Sequence, residues 1–202
     1  MSAVSTITAE QQDRIREFVM GHHLHKGLGT ESEACSIAAI NLVILGELTD
    51  SIPDCMSPVI GKWIIGVQDA MPDVMRNGFA WKSALPLAAG TGRDPEKEAK
   101  RLALILEWMW ATVLPTVQPI ADKHGFGAEW RTMLTERTEQ PEAEAAEAAR
   151  AARAAATAWA AEAAEAARAA EAAEAAAWAA EAAEAAWASW APAELLRQLI
   201  EA

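Results

Sequence analysis

Between residues 142 and 191 the chain contains neither Gly nor Pro, and about two residues in three are Ala. Alanine is the strongest helix former, and Glu and Arg rank close behind it. A stretch of that make-up is expected to form one α-helix of about 50 residues, which would extend about 75 Å at 1.5 Å per residue. Pro192 then permits a fresh helix start. After it, Leu195, Leu196, Leu199 and Ile200 form a small apolar face, with Arg197 and Gln198 opposite.

The non-alanine residues of the stretch recur at every third position: Glu144, Glu147, Arg150 and Arg153, then Trp159, Glu162, Glu165, Arg168, Glu171 and Glu174. After a slip of one residue the series continues with Trp178, Glu181, Glu184, Trp187 and Trp190. Three residues turn a helix by about 300°, so the marked stripe circles the helix once in about 18 residues. A heptad seam must stay on one face, and this one does not. Drift and acidic charge together also disfavour a helix lying on a membrane. The tryptophans decide between the remaining readings. Each can bury about 150–250 Å², and a solvated spacer has no use for them. Trp159, Trp178, Trp187 and Trp190, with the face from Leu195 to Ile200, are therefore expected to dock on the head or on a second copy. The alternative is a low-complexity helix expanded by repeat slippage, with no dedicated role.

The core formers Ile, Leu, Val, Met, Phe and Trp lie mostly before residue 136. Thr8 with Gln11 has the spacing of a capping box, and Ile15, Phe18 and Val19 give the helix after it one apolar face. Thr30 with Glu33 has the same spacing and predicts a buried helix through Ile37, Ile40 and Val43. Ser57-Pro58 reads as an N-cap followed by proline at the first helical position. Pro72 opens a short helix, and residues 79–90 are helical on either side of Pro86. Asp94-Pro95 starts a long helix through Trp108, which Pro115 and Pro119 kink or restart. A last head helix is expected from about 128 to 138. No segment alternates with period two, so no strand is expected. Trp108 falls on the core face of its helix. Trp110, about 200° away, is expected to mark the surface that receives the tail.

The net charge of −12 divides into −7 on residues 142–202 and −5 on the remainder. An acidic chain with no basic stripe argues against nucleic acid, which requires phosphate neutralisation, and against anionic lipid. The start MSAVSTITAEQQDR lacks a basic segment followed by an apolar one, and apolar runs are broken within about 12 residues, short of a bilayer span. The expectation is a cytoplasmic protein with reduced thiols.

One cluster in the head carries candidate chemistry: His22, His23, His25, Cys35, Asp54 and Cys55. If a helix starts near Thr30, Cys35 lies in its first turns, where the helix dipole lowers a thiol pKa, and His25 is a candidate base for it. Alternatively, His22, His23, His25, Cys35 and Cys55 are candidate zinc ligands, since thiolates and imidazoles hold zinc tetrahedrally. The spacing HHxH is not a standard ligand pair, and the cysteines lie 20 apart rather than as CxxC. Core packing for Cys35 and a solvated loop for the histidines explain the same residues, and no cofactor is expected. GTGRD lacks the Lys-Ser/Thr and the preceding strand of a phosphate loop.

The stretch 21–66 resembles a set of uncharacterised bacterial and phage-associated proteins. The residues that carry the likeness are His25-Lys26-Gly27, Cys35 with the apolar run after it, and Asp50-Ser51-Ile52-Pro53-Asp54-Cys55-Met56-Ser57-Pro58-Val59-Ile60. Similar proteins also end in Ala/Trp/Glu/Arg-rich tails. The resemblance implies a bacterial or phage cytoplasmic origin and transfers no residue roles.

The sequence thus predicts an all-α protein: a compact multi-helix head (1–140), a long Ala-rich α-helix (141–191) and a short amphipathic C-terminal helix (192–202). Its expected function is non-enzymatic interaction or assembly, with itself or another protein, through Trp110, the four tail tryptophans and the C-terminal leucines. The alternative is a His/Cys site in the head, as structural zinc or a thiol catalyst. A small-molecule pocket between head helices is a third possibility.

Overall fold

The computed structural model of the chain describes residues 6–123, 125, 127–136 and 186–202. Among these the all-α class holds: there is no β-sheet, and strand-like pairing is limited to one antiparallel bridge between Gly29 and Ala34. Of the Ala-rich stretch only residues 186–190 are described, and they are helical. The expected long helix, with Trp159 and Trp178, lies otherwise outside the described residues.

By its contacts the chain divides into two compact units, Met1–Ile105 with Ala191–Ala202, and Leu106–Trp190. The C-terminal dozen residues, set apart by composition, thus belong with the first 105.

In the first unit, α1 (Ala9–Gly21) begins with the expected capping box, Thr8 and Gln11 each accepting from the other's backbone N–H. The helix α2 (Ser36–Ile44) starts six residues after the capping box read at Thr30. Residues 29–34 instead close a tight loop, in which the Thr30 N–H donates to the Glu33 carbonyl and the Glu33 N–H to that of Thr30. Gly29 makes the loop possible. Its φ is +76°, and a Cβ there would stand 1.9 Å from the Glu33 carbonyl oxygen. The backbone of the loop thus satisfies itself, and no helical turn forms there.

Ser57 caps α3 (Pro58–Ala70), with Pro58 in the first turn as expected. The short α4 (Asp73–Arg76) follows Pro72, and α5 (Phe79–Ala88) runs through Pro86. The helix α5 is the hub. It packs against α1, α2, α4 and the C-terminal helix α9 (Pro192–Glu201), and it buries Trp81, Ala84, Leu85 and Ala88. Trp81 donates its indole N–H to Ser36 Oγ at 3.2 Å, and its ring lies 5.9 Å from that of Trp63. Around it α2 buries six consecutive residues, Ser36–Asn41, as expected of a central helix.

The helix α6 (Pro95–Trp108) begins where Asp94-Pro95 predicts, with Asp94 Oδ1 accepting from the Glu96 N–H. At Met109–Val113 the coil widens to a π turn, in which the Leu114 N–H reaches back to the Met109 carbonyl. Pro115 explains the widening: it has no N–H to continue the ladder. A 3₁₀ turn (Leu114–Val117) follows, then α7 (Gln118–Lys123) and α8 (Gly127–Glu136). The second unit has a small core of Leu114, Val117, Ala121 and Trp130, against which Trp110, Ile120, Met133 and Leu134 pack.

Candidate functional site

The segment His22–His25 leaves α1 and is fixed by Lys82, Asn77 and Arg76. Lys82 Nζ donates to the His22 carbonyl at 2.5 Å. Leu24 donates its N–H to Asn77 Oδ1 at 2.7 Å, and its carbonyl accepts from Asn77 Nδ2 and Arg76 Nε. Arg76 is buried and also donates to the carbonyls of Gln68 and Met71 and to Asp73 Oδ1, each at 2.9 Å. One guanidinium thus joins the histidine loop, the end of α3 and the start of α4. Partial burial works to raise the Asp73 pKa, but hydrogen bonds from Arg76 and His23 outweigh it and hold the carboxyl below the usual range. Burial pushes the Lys82 pKa down, while the Asp73 charge pulls the other way.

The three histidines have separate partners. His22 stacks on Phe18 with centroids 3.6 Å apart, and its Nδ1 lies 3.1 Å from the Phe18 carbonyl. His23 Nε2 is 3.2 Å from Asp73 Oδ2. The ring of His25 turns to the Lys26 carbonyl. Asp54 pairs with Arg93 at 2.9 Å. Among the described residues no group of three or more His, Cys, Asp or Glu side chains is arranged to hold a metal ion. An open depression of about 540 Å³ beside His22 is lined by Arg14, Glu17, Phe18, Gly21 and Val43, with no thiol among them.

Cys35 is the N-cap of α2, its sulfur accepting from the Ala38 N–H at 3.3 Å. The expected lowering of its pKa is reversed. Burial of the thiol outweighs the hydrogen bonds from the helix start and raises the pKa from the usual 9.0. Cys55 is buried and raised for the same reason, with Asp54 adding to the effect. Both cysteines are free. In the native chain at pH 8, alkylation of either thiol is expected to be at least about 100-fold slower than in the denatured chain, because the folded form keeps it neutral and covered. A raised folded pKa stabilises fully below the unfolded thiol's pKa and is lost as pH climbs through the folded value. Urea stability should therefore fall above pH ~9. A rapid, stoichiometric reaction of native Cys35 at pH 7 would contradict this.

The apolar face of the C-terminal helix lies within the first unit. Leu195, Leu196 and Leu199 are buried, and α9 packs on α5 and α3. Each such leucine contributes about 1.5–3 kcal/mol. Ile200 is half-buried. The polar counterpart is Arg101, 1 % exposed, whose Nε donates to the Leu199 carbonyl at 3.0 Å. Its Nη1 pairs with Glu98 Oε1 at 2.7 Å, and Glu98 Oε2 accepts from Ser57 Oγ and from the Val59 N–H. The chain Ser57–Glu98–Arg101–Leu199 thereby ties the start of α3 to the last turn of α9.

In the second unit, Trp187 and Trp190 meet edge to face at 4.7 Å. Trp190 donates to Thr116 Oγ1 at 3.2 Å, and its carbonyl accepts from the Trp108 indole at 2.6 Å. Trp110 packs on the Leu114–Trp130 core.

No family model matches the chain, nor does any curated protein or solved structure, so residue roles rest on this geometry alone.

Proposed function

We propose that this is a non-enzymatic interaction and assembly protein that associates with copies of itself through its Trp-rich C-terminal region. The observation that carries the reading is the cover given to Trp190 and to Leu195, Leu196 and Leu199. Bulky apolar side chains in an otherwise Ala-rich region serve as anchors, and aromatic anchors dominate the energetics of association. The acidic charge, −12 overall, supports a protein partner over nucleic acid. No helix among the described residues is long and apolar enough to cross a membrane, which is compatible with the cytoplasmic setting we assign.

The test is light scattering of the full chain over a wide concentration range. The expected result is a concentration-dependent rise to at least twice the chain mass. A monodisperse monomer at every concentration would overturn the reading.

A further inference from the structure

We infer that two copies of this chain exchange their C-terminal helices. Each lays α9 against α3 and α5 of the other, so that Arg101 of one copy donates to the Leu199 carbonyl of its partner. The inference rests on the self-association reading above and specifies the segment through which it works.

Three observations carry it. The first is the hinge. Ala191 has φ 46° and ψ 52°, the one non-glycine residue at positive φ among those described. A Cβ is disfavoured there, and a residue before proline is driven toward extended backbone. Opening Ala191 to an extended conformation satisfies both preferences. Short strained hinges are the kind that favour exchange between copies.

The second is where the hinge sits. Ala191 is the residue at which the chain passes from one compact unit to the other. Trp190, on one side, is held by Trp108 and Thr116 of its own unit. On the other side, α9 begins at once with Pro192. A rotation confined to Ala191 therefore moves α9 as a body and leaves the contacts of Trp190 in place.

The third is the selectivity of the seat. The guanidinium of Arg101 is buried and takes a carbonyl from the last turn of α9, where helix carbonyls lack intrahelical partners. Around it the seat receives Leu195, Leu196 and Leu199. An empty seat would leave a buried cation short of an acceptor beside bare apolar surface. The occupant that fits on both counts is the same helix from a second copy, and the contacts made within one chain are the contacts made between two.

The test uses the full chain with Ser83→Cys and Arg197→Cys, positions whose side chains touch at 3.4 Å across the α5–α9 contact. The native thiols at Cys35 and Cys55 are buried and do not compete. A short bis-maleimide is applied immediately after dilution, and the product is read on a denaturing gel with light scattering of the same sample. The expected result is a linked product mostly at twice the chain mass, in a share that dilution does not reduce. A product at single-chain mass, with residues 83 and 197 joined within one chain, overturns the exchange. If scattering still gives a dimer, only the exchange falls; if it gives a monomer, the association reading falls with it.

A second measurement needs no substitution. Wild-type chain is refolded with a large excess of a synthetic peptide of residues 191–202. The peptide should take the seat and halve the scattering mass, and a dimer unaffected by it also overturns the exchange.

Discussion

Replacing Arg101 by alanine is expected to lower the stability of the chain by about 3–5 kcal/mol, the usual cost of removing one partner from a buried ion pair. The side chain is 1 % exposed, so water cannot take over its work. Glu98 loses its countercharge at 2.7 Å, and the Leu199 carbonyl loses its donor. The loss should appear in urea denaturation and, more specifically, as rapid protease cleavage around residues 191–202. Replacing both partners, as Arg101→Met/Glu98→Leu, should cost less than the single change, because no charge is then stranded. Ser57 Oγ and the Val59 N–H lose Glu98 in that variant, so it should not regain the full wild-type stability. A loss below about 1 kcal/mol in Arg101→Ala would show that the ion pair does not hold the helix.

Arg76→Ala is the second large effect. It strands the carbonyls of Gln68 and Met71 and leaves that of Leu24 with Asn77 Nδ2 as its donor. Buried acceptors left unsatisfied cost about 1–3 kcal/mol each, so about 3 kcal/mol or more is expected after partial relaxation. The signature is local as well as global: amide exchange in residues 22–29 should accelerate more than in α2 or α5. Arg76→Lys should recover only a small part, because an ammonium cannot reproduce the fork that reaches three carbonyls and a carboxylate. Uniform acceleration across the whole first unit would argue against a clamp acting on the histidine loop.

Most helix starts were legible because capping chemistry is local. Thr8, Ser57 and Asp94 act where their spacing to Gln11, Pro58 and Pro95 places them. Thr30 misled for a physical reason: the same Thr-x-x-Glu spacing also suits a tight loop, and Gly29 at positive φ tips the balance. For Cys35 the sequence reveals a helix dipole but not the depth of burial that opposes it and raises the thiol pKa. Arg76 and Arg101 were illegible as structural centres. Each looks like an ordinary charge on a helix, and what distinguishes them is carbonyls contributed from far along the chain, Leu24 and Leu199. The small core that Trp110 joins is made by Leu114, Val117, Ala121 and Trp130, residues around and beyond the breaks at Pro115 and Pro119, so a helical wheel drawn for the long helix alone does not contain it.

The pairing of Arg101 with Leu199 also sets a schedule for synthesis. Between the two parts of the first unit lie residues 106–190, which at about 5–20 residues per second occupy a ribosome for about 4–17 s. For that interval the newly made α3, α5 and α6 wait without the helix that completes them. Nascent chains crowded on one messenger would then offer one another an unfilled cradle before either has its own closing piece.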